Sequence, residues 1–279
     1  MNIKFVVNDY MLVWSLLFQA SITEAIHKLK QKLWSNYKDE YNATYNDKNL
    51  ILKEGKDFIP NDDTIYNLVI ETKEYEKIKK AVEKYRLELT KLWDSKTIKV
   101  ENELKSILKK DLSEYIVYTV DNNLDFIDGN KLSTTKKNAI ILGKKIDKKD
   151  TNNLILKLSY EIIIKELKEY KGVNKIIADA IIDLAINNEL ATRVSKKSCY
   201  FNGHANLLHI KRQIYPYWLM YLGVKKDEMT KYMTRDKIAF DIEMFPYYEK
   251  LATIDLDEFI EFCIKNKKYM VKEEQLEII

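Results

Sequence analysis

The run NLILKLSYEIIIKELKEYKGVNKIIADAIIDLAINNELATR occupies residues 153–193. Apolar residues recur at three- and four-residue spacing on both sides of Gly172, which predicts two helices joined by a turn. The second is apolar almost all round from Ile176 to Ile186. A soluble protein tolerates that only where a helix is covered on several sides, so this is the expected core helix. Glu189 follows on the stripe of Ala178, Ile182 and Ala185, where burying a carboxylate is costly and needs a reason.

Upstream of this pair the chain reads as short strands. Tyr115 to Val120 is β-branched and aromatic and runs into Asp121-Asn122-Asn123, a strand and turn. Ala139 to Leu142, ended by Gly143, is a second strand, and Thr151 or Asn152 is placed to cap the helix that follows. Downstream, Ser195 to Gly203 is a polar loop. It leads to an aromatic helix with Ile214, Tyr215, Tyr217, Trp218 and Tyr221, ended by Gly223. Further helices are expected over 225–235 and 255–266.

The amino-terminal part is simpler. Ile3 to Val7 is a strand feeding a helix from about Tyr10, which is expected to continue through Ile22, Ile26, Leu29, Leu33 and Tyr37. Asn42 to Asp63 is polar and carries Gly55 and Pro60, so a long loop is expected there. Tyr75, Ile78, Val82, Tyr85, Leu89 and Leu92 form one helical face, and Val100, Leu104, Ile107 and Leu108 another.

Only 6 glycines and 3 prolines in 279 residues leave little turn chemistry, which favours long helices over an all-β fold. The 47 basic and 43 acidic residues are interspersed and sum to +4, without the basic face that nucleic-acid binding requires. Cys199 and Cys263 lack metal-type spacing, and they fit a reducing, cytoplasmic setting without disulfides. The apolar run Tyr10 to Phe18 is too short to span a bilayer, so no membrane partner is expected.

Strand, edge strand ending in Gly, helix, then a core helix with a late Asn188-Glu189 pair: this order resembles the catalytic core of gluzincin metallopeptidases, the thermolysin-like zinc enzymes. In that family the first helix carries His-Glu-x-x-His, since residues four apart share a face and two imidazoles then hold one Zn²⁺ while the Glu activates its water. A Glu on the next helix is the third protein ligand. The matching window here is Tyr160-Glu161-Ile162-Ile163-Ile164, so the resemblance makes Glu161 a vestigial general base and Glu189 the remnant of the third ligand. It implies an α+β, predominantly helical fold with a small sheet packed on the two-helix core of a metallopeptidase-like fold. One domain over 1–279 is expected, with a mainly helical layer at 1–112 and the metallopeptidase-like core at 113–279. Tyr215 and Tyr217 lie where the family keeps a downstream Tyr or His that stabilises the oxyanion.

The departures decide the functional expectation. Tyr160 and Ile164 stand where the two histidines would be. A phenol, with a pKa of about 10, is a weak zinc ligand at neutral pH; an isoleucine is none. With only Glu161 and Glu189 left, the donors fall short of the three that a catalytic Zn²⁺ needs. The expectation is a metallopeptidase-like pseudoenzyme with no cofactor, acting by binding or regulation on a protein or peptide partner. One alternative is an active metal-dependent hydrolase in which His204 joins Glu161 and Glu189, with zinc as cofactor. On one helix His204 and His209 would point about 140° apart. A second alternative is a helical interaction protein of unrelated ancestry. The same residues also fit plain helix surfaces: Lys157, Glu161 and Lys165 are spaced for exposed ion pairs, and Glu189 pairs at i+4 with Arg193.

Overall fold

A computed structural model describes residues 2–19, 23–47, 59–60, 62–127, 138–195, 205–225, 228–229 and 248–267. Two compact units emerge, the first made of 1–98 and 113–161, the second of 99–112 and 162–279. The chain passes from one unit to the other at 98/99, at 112/113 and at 161/162. Pairing of the first strand with the second draws the strand segment to the amino-terminal helices.

The first unit holds a four-stranded sheet in the order β1-β2-β4-β3, with β1 Ile3–Val6, β2 Tyr115–Thr119, β3 Phe126–Ile127 and β4 Ala139–Gly143. The first three in that order run parallel, with Ile3 opposite Tyr115 and Ile116 opposite Ala139, and β3 lies antiparallel to β4. Parallel interior strands are covered on both faces and read as apolar runs, as Ala-Ile-Ile-Leu-Gly in β4 does. β4 therefore lies inside the sheet, between β2 and β3, which corrects its expected place at the edge. The signal for this was faint: β3 has two residues.

Helices α1 (Asp9–Phe18), α2 (Glu24–Asn36), α3 (Lys38–Asn46), α4 (Thr64–Ile70) and α5 (Lys73–Asp94) also lie in the first unit. The single helix expected from Tyr10 to Tyr37 is two. Gln19 leaves helical geometry, and Thr23 starts α2 afresh by accepting a hydrogen bond from the Ile26 amide at 3.2 Å. α1 is buried from Met11 to Leu17, and Trp14 donates its indole N–H to the Thr44 carbonyl at 3.0 Å. That bond ties down α3, which occupies the start of the expected 42–63 loop; residues 48–58 and 61 lie outside the described residues. α5 carries the expected face of Tyr75, Val82, Tyr85 and Leu89 into the core. The Tyr85 hydroxyl donates to the Lys144 carbonyl at 2.5 Å, just past the end of β4.

Helix α6 (Thr97–Leu108) belongs to the second unit from Lys99 onward, and the division also falls inside α7 (Thr151–Glu166), after Glu161. α7 starts at Thr151 itself, with Asp150 at the preceding cap position. After Gly172, whose positive φ of 56° suits a residue without Cβ, comes α8 (Val173–Asp183). A π-helical stretch, Leu184–Leu190, and α9 (Ala191–Ser195) continue it. Helix α10 (Leu208–Tyr221) ends as expected at Gly223, where the Val224 amide bonds the Leu219 carbonyl. α11 (Tyr248–Thr253) and α12 (Leu256–Lys265) follow, the latter opened by a capping box of Asp255 and Glu258. The helix expected over 225–235 and the loop over 195–203 lie largely outside the described residues.

Lys109 joins three of these helices. It sits past the end of α6 with φ 53°, and its ammonium donates to the carbonyls of Tyr221 and Ala252, at the ends of α10 and α11. It also lies 4.0 Å over the Tyr221 ring. Burial pulls its pKa from 10.5 down to about 8, against the carbonyls and the ring, which favour the cation. Between those pH values the unfolded chain holds a proton that the folded chain lacks, so stability rises with pH across that window. Lys109→Met should flatten this part of a urea-unfolding pH profile. Equal slopes in both proteins would show that the carbonyls and the ring outweigh burial. The comparison is cleanest below pH ~10, because the buried Tyr221 phenol is shifted upward and works in the opposite sense above it.

Candidate functional site

A run of polar groups in the second unit lies where α8 passes into the π-helical stretch. π-helical turns are rare in general and frequent at functional sites. The expected core helix is buried from Ala180 to Asn187, and within that apolar run Asp183 is wholly covered. Lys211 of α10 donates to its Oδ2 at 3.0 Å, with a side chain only 13% exposed. Ionic partners of this kind are what make a buried carboxylate tolerable. Asn187, one turn on, is also buried.

Glu189 lies at the end of this polar seam and is half-buried. Its Oε2 accepts from the Arg193 guanidinium at 2.9 Å, and its Oε1 from the Trp218 indole N–H at 3.4 Å. Arg193 reaches on to Glu103 at 3.2 Å and to the Ser106 hydroxyl at 3.3 Å. The guanidinium thus bridges two carboxylates from two helices. Of the two local readings of Glu189, the i+4 ion pair is the one formed.

The window on α7 is less concentrated. Two adjoining rows at four-residue spacing are buried, Leu154, Leu158, Ile162 and Glu166 beside Ile155, Ser159, Ile163 and Leu167, and together they make one broad helix face. Ile164 falls on the other side and is 39% exposed. Tyr160 and Glu161 are half-buried and belong to the first unit, Glu189 to the second. His204 and Cys199 lie outside the described residues, and His209 is exposed. Tyr217 is buried against Phe262, with ring centroids 5.8 Å apart, as a core residue would be. Among the described residues no three His, Cys, Asp or Glu side chains are grouped to hold a metal ion.

Asp183 and Lys211 were not singled out from the sequence. An Asp between Ile182 and Leu184 is as anomalous as Glu189, and that interruption of an apolar run was the available signal. Among the described residues no helix is long and apolar enough to cross a membrane. Compared with known proteins, the chain matches no family model, no curated protein and no solved structure.

Proposed function

We propose that this is a metallopeptidase-like binding or regulatory protein that has lost zinc-dependent peptide hydrolysis and acts on a protein or peptide partner in the cytoplasm. The bonds of Glu189 are the observation that carries this reading. A carboxylate that shares a guanidinium with Glu103 and accepts an indole N–H has committed both oxygens, whereas a third zinc ligand offers an oxygen to the metal. The absence of imidazoles at Tyr160 and Ile164 supports it from the sequence side. The near balance of 47 basic and 43 acidic residues argues against a nucleic-acid partner. Cys263 is a free, buried thiol whose pKa burial pushes up, in keeping with a reducing compartment.

One observation favours a second reading, a helical interaction protein of unrelated ancestry. Metallopeptidases of this type hold peptide by strand addition to an edge strand. Here the strand before α7 is interior to the sheet.

Calorimetric titration with Zn²⁺, on protein purified without a histidine tag, tests both. The wild type should bind no stoichiometric zinc. Tyr160→His with Ile164→His puts two imidazoles one turn apart, and this double variant should bind zinc, weakened 10- to 100-fold on the order expected when outer-shell partners have drifted. Tight one-to-one binding by the wild type would restore the hydrolase with Glu161, Glu189 and His204. A folded double variant that gains no zinc would leave only the unrelated interaction protein.

A further inference from the structure

The parallel strands β1, β2 and β4 end at the same edge of the sheet, and in open parallel sheets that edge is where ligands bind. A cavity of about 210 Å³ opens there, between α5 and the turn that follows β2. It is smaller than the ~300–1,000 Å³ of drug-sized sites, so its occupant must be small. Two walls of different chemistry enclose it. Ile78, Val82 and the Tyr85 ring, from the inward face of α5, form the apolar side.

Asp121 and Asn123 supply the polar side, and Lys77, an exposed residue that also lines the cavity, brings a positive charge from the solvent side. Asp121 is 8% exposed, and its Oδ1 accepts from the Asn123 amide and from the Asn123 side chain, both at 2.9 Å. That Asx turn fixes the orientation of the carboxylate. Tyr85 is pinned through its hydroxyl to Lys144, so the apolar wall is held from behind as well. A cavity with one carboxylate, one ammonium and an apolar wall complements a ligand carrying both charges and an apolar body.

We propose that this cleft binds a free α-amino acid with an apolar side chain. The ligand ammonium is received by Asp121, its carboxylate by Lys77, and its side chain by Ile78, Val82 and Tyr85. The site is independent of the zinc reading, and all its residues lie in the first unit.

Calorimetry on the full chain with L-leucine, 4-methylpentanoate, which lacks the amine, and 3-methylbutylamine, which lacks the carboxylate, tests it. L-leucine should bind, and each analogue should bind about tenfold or more weakly, the scale of one lost charge-assisted hydrogen bond. Asp121→Asn keeps the acceptor of the turn and removes the charge. It should weaken leucine and close the gap to 4-methylpentanoate. Lys77→Met should weaken leucine and close the gap to 3-methylbutylamine instead. Val82→Phe, which fills the cavity, should abolish binding; if it does not fold, the crossed losses of the two charge variants decide alone. No saturation by leucine at millimolar concentration, equal affinity for the three compounds, or charge variants that leave leucine unaffected would each overturn the proposal.

Discussion

Lys211→Met is expected to destabilise the protein by about 3–5 kcal/mol, the cost of leaving a buried carboxylate without its cation. Asp183 is wholly covered, and the Lys211 ammonium meets it at 3.0 Å. Methionine matches the stem of lysine but brings no charge, so the packing survives while the electrostatic partner is lost. The opposite truncation is expected to cost less. Asp183→Asn leaves the charge on Lys211, whose long stem can carry the ammonium toward water by rotamer changes that the short Asp183 side chain lacks. Combining the two substitutions should recover most of the loss, because a pair removed together leaves no unmatched charge. Urea-unfolding midpoints and slopes of the four proteins measure this cycle. Equal costs for the two single variants would show that Lys211 is as confined as Asp183.

The same pair shows where sequence reasoning reached and where it stopped. Helical faces repeat every few residues, so α5, α6, α8 and α10 are legible from local spacing, and Gly172 and Gly223 mark their ends. The strands Ile3–Val6, Tyr115–Thr119 and Ala139–Gly143 were legible from composition, but their order was not. Periodicity states which residues are covered and is silent on which strand covers them, so the parallel pairing of β1 with β2 and the interior place of β4 came only with the fold. The break between α1 and α2 escaped because apolar residues continue through it: Ile22 and Ile26 keep a helical spacing although Thr23 resets the chain.

Partnerships across the sequence follow the same rule. Glu189 to Arg193 is an i+4 pair and was legible. Lys211 and Trp218 bond to residues 28 and 29 positions away, a distance at which no spacing rule operates. Asp121 read as a turn residue, which it is; that it also lines a cavity depends on α5 passing beside it.

Trp218→Ala should cost about 3–5 kcal/mol, at the scale of a large aromatic deleted from a core. The indole is fully buried, stacks on Tyr221 with centroids 5.1 Å apart, and lies 5.8 Å from Phe259. It also donates to Glu189 at 3.4 Å, which is long for such a bond. Packing and hydrogen bonding therefore make separable claims on this residue. Trp218→Phe keeps an aromatic body against Tyr221 and Phe259 and deletes only the N–H and part of the ring. Glu189 would retain Arg193 and some access to water, so the lost bond should cost only about 1 kcal/mol, and the smaller ring adds its own packing loss. The expected order is a much larger shift of the urea midpoint for Ala than for Phe. If Phe proved as damaging as Ala, the indole bond would be what holds Glu189 to Arg193 and Glu103, and the polar seam would be stabilised by that bond more than by the aromatic packing beneath it.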